Sequence, residues 1–363
     1  MPPTVYFMDY NKSQDLSTSL EKIFKNLDIG KKLDKKRVAI KIHMGEEGNM
    51  THIRPAKVRR VVDMVKDAGG VPFVCDTTTL YPYKRFSEKL YLETAARNGF
   101  SRETIGCPII IADGDGYDSV SLPLRKKEGK CHFDRVPMAK GLESADFLLL
   151  VSHVKGHMMT GIGGAIKNIG MGCVDKNGKA DQHFGSKPFL NEDRCTRCGT
   201  CMDVCKYDAI SIMDGKMKID YDSCMYCLSC YFTCPAGAIF LKKGYQEELQ
   251  LLIAHMAYGI LDHFNGNFVA LNFLEDMTEL CDCASQPGRI LMPDIGLLAS
   301  ANPVGIDAAS LDLIDRTEPI PGSGMPDGPD RFGKFHGLDS WVQVKTLEKL
   351  GAGSTDYNLV ELQ

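Results

Sequence analysis

Between residues 193 and 234 the chain spells one cysteine pattern twice. Asp193-Arg-Cys-Thr-Arg-Cys-Gly-Thr-Cys-Met-Asp-Val-Cys205 aligns with Asp222-Ser-Cys-Met-Tyr-Cys-Leu-Ser-Cys-Tyr-Phe-Thr-Cys234, and Ala209-Ile210 follows the first copy as Ala238-Ile239 follows the second. Each copy is Cys-x2-Cys-x2-Cys-x3-Cys. That spacing lets three thiolates of one turn-rich loop reach three irons of a cubane while the fourth crosses to a second cluster. Structural zinc closes a single tetrahedron, usually with two Cys-x2-Cys pairs or Cys/His sets, and two triplets with trailing cysteines are not built for it. The pattern predicts two 4Fe-4S clusters.

The rest of the chain is ordinary by comparison. At 363 residues it should hold about two domains. With 44% hydrophobic and 25% charged residues it is neither disordered nor a membrane protein, and the longest apolar run, near Phe147 to Val151, is too short to span a bilayer. Lys and Arg number 43 against 47 Asp and Glu, a net charge of −4, so no general attraction to nucleic acid or anionic lipid is expected. The first residues, MPPTVYFMDYNKS, lack a positive region followed by an apolar stretch, so no secretory signal is expected and the reducing cytoplasm is the expected compartment. There, dense cysteines bind metal or do redox chemistry more often than they form disulfides.

Up to about residue 185, short apolar runs alternate with segments of helical spacing, which predicts a mostly parallel sheet with crossover helices. Strands are expected at Val5 to Met8, Val38 to His43, Val71 to Cys75, Ile109 to Ala112 and Phe147 to His153. A helix should start at Pro55, carry Val58, Val61, Val62 and Val65 on one face and stop at Gly69 and Gly70. The alternation resumes after Lys243 with Phe268 to Leu274, one or two strands in Ile290 to Ser300, and a helix capped by Asn302 and Pro303. The stretch Thr317 to Gly337, rich in Gly and Pro, reads as an irregular loop. The expected division is a discontinuous α/β domain, 1–185 plus 244–363, interrupted by a module at 186–243.

That module resembles bacterial-type ferredoxins with two 4Fe-4S clusters at all eight ligand positions. The resemblance assigns Cys195, Cys198, Cys201 and Cys234 to one cluster and Cys224, Cys227, Cys230 and Cys205 to the other. It also shows a departure, for Cys234 precedes Pro235 as in that family whereas Cys205 precedes Lys206. Tyr207, Tyr226 and Tyr231 are expected to shield the clusters or fill the module's small core.

Open parallel sheets bind ligands at the carboxyl ends of their strands. Here those ends are cationic and rich in histidine: Lys41 and His43 share one face at a strand exit, and the strand from Phe147 runs into His153, Lys155 and His157. The following Gly161-Ile-Gly-Gly-Ala-Ile-Lys-Asn168 puts Gly161, Gly163 and Gly164 before a helix, where backbone amides can approach an anion, with Lys167 and Asn168 a turn or two on. Each residue alone reads more readily as surface or core, and the glycines match neither nucleotide fingerprint; their convergence on one rim predicts an anionic-ligand or catalytic site. Asp76, Asp294 and Asp307 are candidates to orient the cations, or else caps and turn residues. Cys75, Cys107 and Cys131 read as ordinary buried thiols. Cys281-x-Cys283 can clamp a soft metal, completed by Cys173 or a histidine, or be two core cysteines.

The run from His153 to Cys173, with Cys281-Asp-Cys283, Asp294-Ile-Gly and Asn302-Pro-Val-Gly-Ile-Asp307, is similar to the signature of the family catalogued as domain of unknown function 362. Membership implies an iron-sulfur protein of anaerobic type whose α/β part is distantly similar to the nickel-pincer lactate racemase fold, and it implies no substrate. The expected activity is an iron-sulfur oxidoreductase passing single electrons to or from an anionic substrate or cofactor at the sheet edge, with protons from the rim. The alternatives are a non-catalytic electron carrier or adaptor docking a redox partner protein, and a racemase-like or metal-dependent enzyme with redox-sensing clusters. No nicotinamide or flavin signature is present, although flavin pockets vary enough in sequence to leave flavin open.

Overall fold

The computed structural model describes residues 2–12 and 15–362. Eight strands form one sheet: β1 (Thr4–Asp9), β2 (Arg37–Ile42), β3 (Val71–Asp76), β4 (Ile109–Ile111), β5 (Phe147–His153), β6 (Phe268–Leu274), β7 (Gly296–Ser300) and β8 (Asn358–Glu361). Their spatial order is β8-β1-β7-β6-β5-β2-β3-β4. Five neighbouring pairs are parallel, and β7 alone is antiparallel to both its neighbours. The sheet is therefore the expected mostly parallel one. Only one strand lies in Ile290 to Ser300, because residues 290–295 make just an isolated bridge from Ile290 to Thr278.

Alternation along the strands splits the apolar residues between two cores. Ala39, Cys75, Leu148, Leu150 and Ala270 face one side, and Val38, Ile40, Val74, Leu149, Val151 and Leu271 the other. The second side is covered by α1 (Leu16–Asn26) and by α2 (Pro55–Asp67), which begins on Pro55 and buries Val58, Val61, Val62 and Val65. The first side is covered by α3 (Ala165–Gly170), the long α4 (Tyr245–Phe264) and α5 (Pro303–Arg316), whose Asn302 cap accepts the Gly305 N–H at 2.7 Å. Close approach of α3 and α4 needs Gly170, since a Cβ there would strike the Ile253 carbonyl. Within the expected loop, residues 331–336 form a short helix, Arg331–His336, capped by the Asp330 carboxylate.

Residues 188–241 fold as two pseudo-equivalent halves. Pro188–Leu190 pairs with Ile239–Leu241, Ile210–Met213 pairs with Lys216–Ile219, and each cysteine repeat ends in a short helix, Thr200–Asp203 or Ser229–Thr233. The module is fastened to the sheet domain by particular contacts. The Tyr207 hydroxyl donates to the Leu80 carbonyl at 2.8 Å, its ring meets Phe86 edge-on, Tyr226 meets Phe184, and Leu228 is buried in the main core.

Candidate functional site

The eight repeat cysteines line two separate small cavities. Cys195, Cys198, Cys201 and Cys234 ring one, with Leu190, Met217, Pro235 and Ile239. Cys205, Cys224, Cys227 and Cys230 ring the other, with Pro188, Ile210, Ile219 and Leu228. Each ring takes three sulfurs from one repeat and the fourth from the other. Arg197 and Gly199, and at the equivalent positions Tyr226 and Leu228, have positive φ, the left-handed geometry that anion-binding nests use. Among the described residues no histidine or carboxylate lines either cavity, and all eight thiols are free. Four sulfurs in a largely apolar hollow fit an iron-sulfur cluster better than a hydrated cation.

A much larger cavity of about 240 Å³ lies at the carboxyl edge of the sheet. It is lined by Lys41 and His43 from the end of β2, Asp76 and Thr77 to Thr79 from the end of β3, His157, Lys167 and Asn168, Cys281 and Cys283, and also Cys227, Leu228 and Phe232 of the module. Arg85, Tyr81, Lys179 and His183 complete its polar wall. Asp76 is the sole carboxylate among the lining residues and is already paired, its Oδ1 2.7 Å from the Lys41 ammonium. Burial opposes both charges, yet the pairing holds Lys41 above and Asp76 below its ordinary range. Lys41 also donates to Asn168 at 2.8 Å, Arg85 is paired with Glu46, and Lys179 stands 3.8 Å from Asp113. Among the described residues no hydrogen-bond or ion-pair partner meets the Lys167 ammonium, although its carbonyl accepts the Met171 N–H at 2.9 Å. The buried Nε2 of His43 and Nδ1 of His183 are likewise unpartnered.

His153 and Lys155, expected on this rim, lie behind it instead. The Asp282 carboxylate accepts from Lys155 Nζ at 2.8 Å and meets His153 Nδ1 at 2.9 Å, while His153 Nε2 donates to the Glu275 carbonyl at 2.7 Å. Lys155 also donates to the Thr51 carbonyl and hydroxyl. Burial would raise the Asp282 carboxyl, but His153 and Lys155 hold it far below the usual carboxylate range. These two residues position the Cys281–Cys283 segment; they are not available to a ligand. Alternation then turns Asp282 inward and both cysteines toward the cavity.

The glycine run also needs correction. Gly161 and Gly163 lie in a small strand, Gly161–Gly163, paired with Lys155–His157, and with Gly164 they stand outside the cavity lining. The amides at the start of α3 are taken, since Ala165 and Ile166 donate to the Asp307 carboxylate at 2.8 and 2.9 Å. Asp307 thus occupies the place expected for an anion. Asp294 accepts the Asp276 N–H at 2.8 Å and is a turn residue; of the three acids, Asp76 alone orients a rim cation. Cys173 stands apart from Cys281 and Cys283, with its sulfur 3.9 Å from the Asn168 carbonyl, and His157 is the group beside that pair. Cys75 and Cys107 are buried and Cys131 half-buried.

The wall gives the fold an acid sensitivity. Burial, aided by Arg85, pushes His43 down to about 3, and burial, aided by His157 and Lys167, pushes His183 down to about 4. Because both folded values lie below the ordinary 6.5, their stabilisation is complete above pH 6.5 and is lost as pH falls through 4 and 3. Thermal midpoints should fall between pH 6.5 and 4, and His183→Asn should flatten that decline. An unchanged slope in the variant would show that His183 is solvated.

A family model described as Domain of unknown function (DUF362) matches residues 38–312. Pyruvate synthase subunit PorD of Methanothermobacter marburgensis is 33% identical over 85 residues, 23% of this chain and 98% of that protein. PorD of Methanocaldococcus jannaschii is 41% identical over 54 residues, 15% of this chain and 63% of its own length. The ferredoxin-type protein FwdE of the same organism is 34% identical over 61 residues, 16% of this chain and 40% of that protein. The chain thus spans less than two thirds of either M. jannaschii relative. Among solved structures, the lactate racemase apoprotein from Thermoanaerobacterium thermosaccharolyticum is 11% identical, with a TM-score of 0.39 over 84% of this chain and 55% of that one. No helix among the described residues is long and apolar enough to cross a membrane.

Proposed function

From the premise that the chain belongs to the DUF362 family, we propose that it is an iron-sulfur electron-transfer protein whose 186–243 module carries two 4Fe-4S clusters. The module exchanges single electrons with an anionic substrate or cofactor held by the discontinuous α/β domain, residues 1–185 plus 244–363. One observation carries this reading: Cys227 lines both its own cysteine ring and the large cavity. A cluster in that ring would supply one-electron chemistry at the cavity wall. The chain's residues supply the rest. Lys167 offers an uncommitted ammonium, and His43 offers an N–H, because its Nδ1 accepts the Gly45 N–H at 3.0 Å and the ring proton is left on Nε2. These donors, with a single neutralised acid nearby, favour an anion. The similarity to PorD supports a setting in which this chain is one electron-transfer subunit of a larger assembly.

Anoxically purified protein should hold about eight irons per chain and show cluster signals on reduction. Small carboxylates or phosphate esters titrated into the reduced protein should perturb one of the two signals, and Lys167→Met should weaken that response at least tenfold. Stoichiometric zinc without iron would refute the clusters. Signals indifferent to every anion would refute the substrate site and favour a carrier that only docks a partner.

A further inference from the structure

The cavity wall holds a second chemistry that the electron-transfer reading does not use. Cys281 and Cys283 flank Asp282 in a tight turn closed by the Ala284 N–H on the Cys281 carbonyl at 3.1 Å. With Asp282 pinned behind by Lys155 and His153, the two sulfurs and a ring nitrogen of His157 all lie within 4.8 Å of one another. Two thiols and an imidazole are a familiar ligand set for zinc. The hydrogen bonds point elsewhere. Nδ1 of His157 accepts the Met159 N–H at 3.1 Å, so its lone pair is committed and the ring proton sits on Nε2. A metal ligand needs the reverse, a bare nitrogen toward the ion and an N–H toward an acceptor. Lys167 lines the same wall and would repel a cation.

We infer that Cys281 and Cys283 form a reversible dithiol–disulfide couple, with Cys281 the attacking sulfur and His157 the hydrogen-bond donor beside it, acting on small anionic disulfides that enter the cavity. The Cys281 thiolate attacks one sulfur of the disulfide; a bond forms between them, the disulfide bond breaks, and the leaving thiolate takes the Cys283 proton while the His157 Nε2–H offers it a hydrogen bond. The Cys283 sulfur, now a thiolate, then attacks Cys281. The ring disulfide closes and the second thiolate leaves, to be protonated by water. Two electrons have passed from the protein pair to the substrate, which is reduced to two thiols. Exchange with an added dithiol reverses both steps.

The asymmetry of the pair agrees. Cys281 is held well below its ordinary thiol range, first by the neighbouring Cys283 thiol, against burial, and then by His157 and Lys167, while Cys281 and burial push Cys283 up. An attacking thiol with a lowered range and a resolving thiol with a raised one is the arrangement exchange requires.

The couple shares the cavity of the function proposed above but not its iron, so the two can fail separately. Cluster-loaded protein should be treated anoxically with oxidised glutathione, alkylated and digested. The peptide bearing both cysteines should come out unalkylated and lighter by two hydrogens, and dithiothreitol should return it to the doubly alkylated form. Cys283→Ser should stop at a glutathione adduct on Cys281, and adding His157→Asn should slow that adduct at least tenfold. Cys281→Ser should form none. Cluster spectra of the same samples report on the iron. The inference is overturned if the wild-type pair is fully alkylated after glutathione, if the adduct forms on Cys283 instead, or if the pair resists both reagents until a chelator releases a metal.

Discussion

Asp282→Asn should lower the unfolding free energy by about 3–5 kcal/mol, the usual cost of breaking a buried ion pair from one side. Lys155 is fully buried, Asp282 is 4% exposed, and their 2.8 Å contact pairs the two charges in a site that the His153 contact also closes. Asparagine keeps the shape but removes the charge, so a buried ammonium is left without a counter-charge, met only by neutral oxygens of the amide and of Thr51. Urea denaturation should show a lower midpoint with an unchanged slope. Adding Lys155→Met should recover part of the loss, because an apolar side chain in place of an orphaned charge is often neutral or better. A single variant within about 1 kcal/mol of wild type would mean that the pair is solvated, and the positioning of the Cys281–Cys283 turn would need another cause. The same geometry changes how alanine variants should be read: His153→Ala or Lys155→Ala would impair the cavity by releasing that turn, without either residue having touched a substrate.

The strands were legible because burial on both faces writes them as continuous apolar runs, and β5 and β6 match their expected limits to the residue. Lys41 and His43 were legible for the same reason. A polar residue alternating with Val38, Ile40 and Ile42 has only the strand exit to face, and both line the cavity. What failed was the inference from residue type to role where the partner is remote. The partner of His153 and Lys155 lies well over a hundred residues downstream, and so does the carboxylate that fills the start of α3. Local spacing carries no information on such partners. His157 fell the other way, since only the fold shows that it, and not Cys173, meets the Cys281–Cys283 turn. Arg85 and His183 were missed because nothing periodic marks them, although His183 stands only a few residues before the cysteine module and so near a wall the module completes. Nor does the repeat reveal which face of the module meets the sheet; that is set by Tyr207 on the Leu80 carbonyl and by Leu228 in the core.

Cys205→Ala should halve the iron of the anoxically purified protein, from about eight to about four per chain under the proposed two-cluster loading. The loss should fall on the second repeat although the substitution is in the first. Cys205 trails Cys195, Cys198 and Cys201 in sequence, but the fold places it in the ring of Cys224, Cys227 and Cys230, and Cys234 makes the reciprocal crossing. A cubane that keeps three thiolates and loses the fourth exposes an iron to solvent and is readily shed, after which its former ligands become free thiols. Alkylation followed by peptide mapping should therefore label Cys224, Cys227 and Cys230 in this variant and leave Cys195, Cys198, Cys201 and Cys234 protected, with Cys234→Ala giving the inverse map. Because the ring emptied by Cys205→Ala is the one that borders the large cavity through Cys227, no anion-responsive cluster signal should remain in that variant, whereas the Cys234→Ala protein should keep it. Labelling confined to the first repeat would mean that each repeat holds its own four-cysteine site, and the crossing that joins the two halves of the module would be wrong.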